Sequence, residues 1–280
     1  MQFIEKRKWF YIFSLAIIIP GIISMMLQGF NLGIDFRGGS MLLYRMDAGL
    51  EAAAVSQAVS ELGVVPEVSV QKSGTEFYVR TTELSQEQTQ KITDGLIAKY
   101  QAAELLSAES VGAIIGGELV KNAFLAVAIA LVLMLIYITF RFEWSFGLAA
   151  VLALFHDVLI VCGIFSIFQL EVNSAFIAAI LTVIGYSIND TIVIFDRVRE
   201  NLRMKKREVL SALLNKSIMQ TMNRSINTVL TVLMPLVTLL LFGGGTIKIF
   251  VITLLIGFLF GMYSSICVAS PLFYEIKQRG

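Results

Sequence analysis

Two acidic residues lie in stretches otherwise apolar enough for the interior of a bilayer. Asp190 sits in "TVIGYSINDTIVIFDRV" (Thr182–Val198), and Asp157 sits beside His156 in "LALFHDVLIV". Read as a helix, Thr182, Gly185, Tyr186, Asn189 and Asp190 fall at i, i+3, i+4, i+7 and i+8, so they share one face. Asp196 and Arg197 extend that stripe. A second stretch offers a matching one: Arg224, Asn227, Thr228 and Thr231 recur at i, i+3, i+4 and i+7, with Pro235 and Thr238 farther along the same side. An ionised carboxylate in hydrocarbon costs about 3 kcal/mol or more, so such stripes must face protein or water. Arg224 lies near the start of its apolar stretch and Asp190 near the end of its own, so their depths match. The spacing predicts an Asp190–Arg224 contact, with Tyr186 and Asn189 as supporting donors.

The chemistry this pattern allows is proton transfer. A carboxylate holds its proton more tightly when it is dry and releases it beside a guanidinium. A group that alternates between two such settings takes up and gives away a proton, which an amide cannot do. The competing expectation is that Asp190 only hydrogen-bonds neighbouring helices. Asp157 is open to either role; Ala150, Ala153 and Leu154 lie near it on a small-residue face suited to tight helix contact. His156 points about 100° away from Asp157, so the two need not act together and a structural histidine is expected.

Other chemistries are poorly supplied. One histidine and two cysteines are too few for a zinc cluster, and Cys162 and Cys267 read as buried small hydrophobes. No nucleophile constellation is present, so the expectation is a protein that is not an enzyme, with no metal or cofactor and the proton as its coupling ion. A net charge of +1 provides no basic field for nucleic acid.

The elements that must hold these residues are membrane spans. The chain has 280 residues, 56% hydrophobic and 15% charged, with a mean hydropathy of +0.77; a soluble domain of this length has no such composition. Six segments are long enough to cross a bilayer: approximately Trp9–Leu27, Ala123–Phe140, Phe146–Phe168, Asn173–Phe195, Ile226–Phe242 and Ile249–Pro271. The first follows Lys6, Arg7 and Lys8, but no A-x-A site comes after it, so it reads as a retained span. Eight basic residues lie from Arg197 to Arg224, whereas the opposite short loops carry only Lys248. That asymmetry places both termini in the cytoplasm and the hydrophilic stretch between spans one and two outside. The basic connection, with Val209, Leu210, Leu213, Leu214 and Ile218 on helical spacing, reads as a helix lying among lipid headgroups.

Residues 29–119 carry a different pattern. Ser40–Met46 reads as a strand and Leu50–Leu62 as a helix; "PEVSVQK" and "EFYVRTT" alternate around a turn at Ser73–Gly74. Ser85 and Gln88 stand in capping-box spacing before a second helix, and "ELLSAESV" supplies a last strand. The order β-α-β-β-α-β is that of a ferredoxin-like α+β domain. Ahead of it, Gly38 and Gly39 read as a glycine-permitted sharp turn into the first strand. The organisation expected is therefore 1–28, a cytoplasmic N-terminus and first span; 29–119, the extracytoplasmic domain; 120–272, spans two to six with the basic loop at 196–225; and 273–280, a cytoplasmic tail.

"GIDFRGG" (Gly33–Gly39), "GYSINDTIVIFDRVREN" (Gly185–Asn201) and "LFGG" (Leu241–Gly244) together resemble the SecD/SecF family of protein-export membrane proteins, within the resistance-nodulation-division (RND) superfamily. The likeness covers nearly the whole chain. The family's first motif usually has Thr where this chain has Arg37, so no role is assigned to position 37; Gly33, Asp35, Gly38 and Gly39 match. The resemblance implies half of a twelve-span assembly in the cytoplasmic (inner) membrane, paired with SecD. It implies further partners in the SecYEG channel, an unfolded preprotein in transit, YajC and membrane lipid. It also implies a function: promoting late preprotein translocation with the proton-motive force. The family's intramembrane aspartate falls on Asp190 and its functional arginine on Arg224. The rival expectations are an RND-type small-molecule or lipid exporter half, and a non-transporting translocon assembly factor.

Overall fold

The computed structural model describes residues 2–204 and 208–279. Lys205, Lys206 and Arg207 of the predicted basic loop lie outside the described residues. The chain divides into a helical unit, Met1–Asn31 with Leu125–Gly280, and an α+β unit, Leu32–Phe124. In chain order the elements are α1 (Arg7–Leu27), β1 (Gly39–Arg45), α2 (Ala52–Glu61), β2 (Val68–Ser73), β3 (Glu76–Thr81), α3 (Gln86–Lys99), β4 (Glu104–Val111), α4 (Ala113–Arg141), α5 (Trp144–Ile167), α6 (Ser174–Met204), α7 (Leu210–Phe242), α8 (Gly245–Ser264) and α9 (Ser270–Arg279).

In the α+β unit the four strands pair antiparallel in the order β2-β3-β1-β4. Alternate residues of β1 (Leu42, Tyr44) and β3 (Phe77, Val79) point to one face, which Val55 and Val59 of α2 and Ile92 and Leu96 of α3 cover. Each such side chain contributes about 1.5–3 kcal/mol through its burial. Ser85 caps α3: its hydroxyl accepts from the Gln88 amide while the Gln88 side chain accepts from the Ser85 amide. A single helical turn, Ile34–Arg37, precedes Gly38 and Gly39, whose φ values are +76° and +122°. A Cβ on Gly39 would lie 2.5 Å from the Thr81 carbonyl oxygen across the sheet, so the glycine pair does form the sharp turn into β1.

Among the described residues, six helices are long and apolar enough to cross a membrane. Burial is uneven: 56% of the apolar window of α5 is covered, against 6% of that of α4. The functional candidates lie on α5, α6 and α7. Helix α1 packs onto α5 at a glycine pair, where a Cβ on Gly163 would sit 2.9 Å from the Gly21 Cα.

Two helices run farther than their apolar stretches. The predicted headgroup helix is instead the first turns of α7, one unbroken helix of 33 residues. No glycine or proline interrupts it before Pro235, and its Leu213, Leu214 and Ile218 are buried. The end of α6 covers them, with the Asn201 amide donating to Ser217 Oγ at 2.8 Å and Gln220 Oε1 at 2.9 Å. The last span likewise continues past Pro271 into α9. Pro271 has no N–H for the carbonyl four residues back and its ring crowds that carbonyl; the helix widens into a π turn at Ser265–Ala269 just before it.

Candidate functional site

Asp190 is buried, 8% exposed, on the side of α6 that meets α7. Its Oδ1 accepts a hydrogen bond from Ser225 Oγ at 2.6 Å. Its Oδ2 is buried and has no hydrogen-bond partner among the described residues. The predicted Asp190–Arg224 contact is not the one formed. Successive helical residues diverge by about 100°, so when Ser225 faces α6, Arg224 cannot; it is exposed at the rim of the same site, near enough for its charge to act on the carboxylate.

The same one-residue offset runs along both helices. The seam on α7 is Thr221, Ser225, Val229 and Leu236, not the predicted stripe. Arg224, Asn227 and Thr231 are exposed and Thr228 half-buried; on α6, Thr182, Gly185 and Asn189 are exposed as well. The two polar stripes therefore lie side by side on the outer face of this chain, with Asp190 at their edge. Most of their hydroxyls return to their own helices: Thr182 donates to the Ala178 carbonyl, Thr228 to that of Arg224 and Thr231 to that of Thr228. Tyr186 crosses between helices, its hydroxyl donating to the Thr228 carbonyl at 2.8 Å while its ring packs on Phe258 of α8. It braces the α6–α7 contact and makes no hydrogen bond to the carboxylate. Asn189 makes no hydrogen bond to Asp190.

Beyond the stripe, Arg197 bonds Gln220 of α7 at 2.7 Å and Glu200 at 2.6 Å. Asp196 pairs with Arg199 at 3.3 Å and stands 3.9 Å from Arg141. These residues fasten the ends of α4, α6 and α7 and are not part of the carboxylate site. Gly33, Asp35, Gly38 and Gly39 belong to the α+β unit and its turn into β1.

Asp157, 1% exposed, sits in a second cluster. Its Oδ2 accepts from Ser187 of α6 at 2.7 Å and from Ser264 of α8 at 2.8 Å. Its Oδ1 is 3.0 Å from His156 Nδ1, so the neighbours pair after all. Their Cβ directions diverge, yet both side chains are shut away from water, and the ring turns to the one acid within reach. His156 Nε2 meets Ser14 Oγ of α1 at 2.8 Å. The small residues predicted around Asp157 are in place: Ala150, Ala153 and Leu154 are buried. Cys162 and Cys267 are free thiols.

Sequence reasoning missed Ser225, Ser187 and Ser264. In an apolar helix a serine looks like filler, and only the seam position distinguishes Ser225 (four residues from both Thr221 and Val229) from the exposed polar residues beside it.

The family described as "Protein export membrane protein SecD/SecF, C-terminal" matches residues 91–279, and the "SecD/SecF GG Motif" family matches residues 23–49. The chain belongs to the SecD/SecF family. It is 41% identical to the protein translocase subunit SecF of Sebaldella termitidis, covering 99% of this chain and 92% of that one. It is 42% identical to the translocase subunit SecDF of Bacillus subtilis, of which it spans 38%. In the crystal structure of SecDF from Thermus, a translocon-associated membrane protein, it overlays with a TM-score of 0.93 at 37% identity, covering all of this chain and 39% of that one. Among SecD/SecF relatives, then, the six-helix piece occurs both alone and fused within a longer SecDF chain, and the present chain is a multi-pass membrane protein of that family.

Proposed function

We propose that this chain is an accessory subunit of the Sec protein translocase that works with SecD, beside the SecYEG channel, to drive preprotein movement with the proton-motive force. Asp190 is the proton carrier and Arg224 its counter-charge. The observation that carries this reading is the carboxylate itself: buried, bonded through one oxygen to Ser225, with the other oxygen unpartnered at the edge of an exposed polar face. A buried polar atom left without a partner is costly and rarely kept without use. A proton arriving on Oδ2 forms an O–H bond and cancels the charge; on its departure the carboxylate meets the field of Arg224. The membrane-embedded polar face needs a polar cover, and the SecD half supplies it, as the fused SecDF relatives suggest.

Under the same reading both termini are cytoplasmic and the α+β unit is a ferredoxin-like domain outside the membrane, positioned near emerging preprotein. The basic-residue asymmetry and the strand order support this assignment. Co-purified YajC is a further expected partner, and the chain carries out no enzymatic step.

Asp190→Asn tests the reading because it keeps shape and removes the titrating group. In vesicles holding the chain with its SecD partner, proton conductance is expected to be lost, and in cells the proton-driven part of export with it. If both persist, Asp190 is not the carrier and an assembly-factor role gains.

A further inference from the structure

The second carboxylate cluster is built differently from the first, and its hydrogen-bond directions can be followed to an end. Tyr263 donates its hydroxyl proton to the Phe10 carbonyl at 2.8 Å. With that proton used, the 3.2 Å contact between Ser14 and Tyr263 requires Ser14 to donate. Ser14 Oγ then accepts from His156, so Nε2 carries a hydrogen. Ser187 donates to Asp157 Oδ2, and Ser264 donates to it at 2.8 Å in preference to the Gly261 carbonyl at 3.1 Å. One contact remains, His156 Nδ1 to Asp157 Oδ1 at 3.0 Å, and it holds one further proton. Whether that proton rests on nitrogen or oxygen, the pair has no net charge. Withdrawing it would set a ring lone pair against a carboxylate oxygen in a dry site, which is costly. Facing the pair, α1 offers the Ser14 hydroxyl, α6 the Ser187 hydroxyl, and α8 the Ser264 hydroxyl and the titratable Tyr263, with the Cys267 thiol of the π turn beyond it.

Ser187 is the link to the first site. It stands three residues before Asp190 on α6, one helical turn away. It is gripped from the far side by a close helix approach, since a Cβ on Gly261 of α8 would lie 3.0 Å from the Ser187 Cβ. Thr191, one turn farther along α6, bonds Ser265 of the π turn at 2.8 Å. The rotation and depth of α6, and with them the reach of Asp190 to Ser225, are thus fixed from the α5–α8 side.

We propose that His156 and Asp157 form a proton-locked clamp that carries no coupling proton and that, through Ser187, positions Asp190 against Ser225. Asp157 and Ser187 are positioning residues. The proposal rests on Asp190 being the site that acts, but its test does not need export activity. Dicyclohexylcarbodiimide modifies protonated carboxyls in apolar surroundings, so its labelling of each aspartate can be followed against pH in vesicles containing the full chain and its SecD partner. Asp190→Asn identifies the Asp190 label by its loss.

Ser187→Ala is expected to move the pH profile of Asp190 labelling by about half a pH unit or more, the scale of one displaced hydrogen bond. Ser187→Thr, which keeps the hydroxyl, restores the profile. Should Ser187→Ala not accumulate, Ser187→Cys, a weaker donor of similar size, gives a smaller shift in the same sense. In the unmutated chain the Asp157 label does not change with pH across the range, because the pair keeps its proton. An unmoved Asp190 profile in the Ala or Cys variant, or a pH-dependent label on Asp157, overturns the clamp. If Asp190→Asn retains proton conductance, the relay reading fails separately, and the labelling profiles still decide whether the clamp exists.

Discussion

Asp157 and Asp190 are both buried carboxylates in apolar helices, yet one is saturated and the other is not. Asp157 uses both oxygens and ties α1, α5, α6 and α8 together through His156, Ser14, Ser187 and Ser264. Asp190 uses one oxygen, on one serine of α7. On the proposed reading, burial by itself does not mark a working group. What separates the two is spare bonding capacity beside a face that this chain leaves uncovered. A saturated carboxylate stabilises its surroundings and resists a change of protonation; an unsaturated one contributes less to stability and can change state without dismantling a network.

The largest expected effect comes from truncating each in turn. Asp157→Ala strands His156, Ser187 and Ser264 in a dry site and should cost about 3–5 kcal/mol, the scale of breaking a buried pair. Asp190→Ala strands only Ser225 and should cost about 1–3 kcal/mol. Thermal unfolding of the two variants in the same detergent measures the ranking. Equal losses would break the distinction between a holding and a working carboxylate. Arg224→Gln should sharpen it from the other side: Arg224 is exposed, so melting should shift by only about 0.5 kcal/mol while proton-driven export falls as it does for Asp190→Asn. A large loss of stability with export retained per folded molecule would instead make Arg224 structural.

What could be read without coordinates follows the strength of each physical signal. The six spans were visible because hydrocarbon length sets a long apolar run, and Asp190 because a charge inside such a run is conspicuous. The capping box at Ser85 and Gln88 was visible because it is local chemistry. The α6–α7 seam was not. The polar stripe was legible as a stripe, but polarity does not say whether it faces a neighbour in the same chain or a partner beyond it, and here the seam lies one residue away, at Ser225. The start of α7 is ambiguous in the sequence for a related reason. Leu213, Leu214 and Ile218 on helical spacing describe a helix with one apolar face, and that pattern is the same whether lipid or the end of α6 covers it. The His156–Asp157 pair depends on side-chain torsions, which residue spacing does not encode.

A third carboxylate supplies the control for this contrast, because it is paired in water. Glu61 at the end of α2 accepts from Lys99 of α3 at 2.7 Å and from Gln57 at 3.0 Å, with both partners of the ion pair about half exposed. The hydrogen bond from Lys99, then its charge, holds the Glu61 carboxyl below its ordinary value of 4.5, and Glu61 in turn holds Lys99 above 10.5. A carboxyl lowered on folding stabilises the fold above its unfolded value, and that contribution disappears as pH falls through the lowered one; a raised lysine contributes below its unfolded value and loses that contribution as pH rises through the raised one. The pair therefore acts across the neutral range and vanishes in acid. In thermal scans of the full chain, Glu61→Gln should lower the melting of the α+β unit slightly near neutral pH, have progressively less effect as pH falls below 4.5, and lose its neutral-pH effect in high salt. Truncating Asp157 should show no such salt dependence, because no ions reach that cluster. A salt-sensitive Asp157 variant would mean that water penetrates the cluster, and the two membrane carboxylates would then differ in degree rather than in kind.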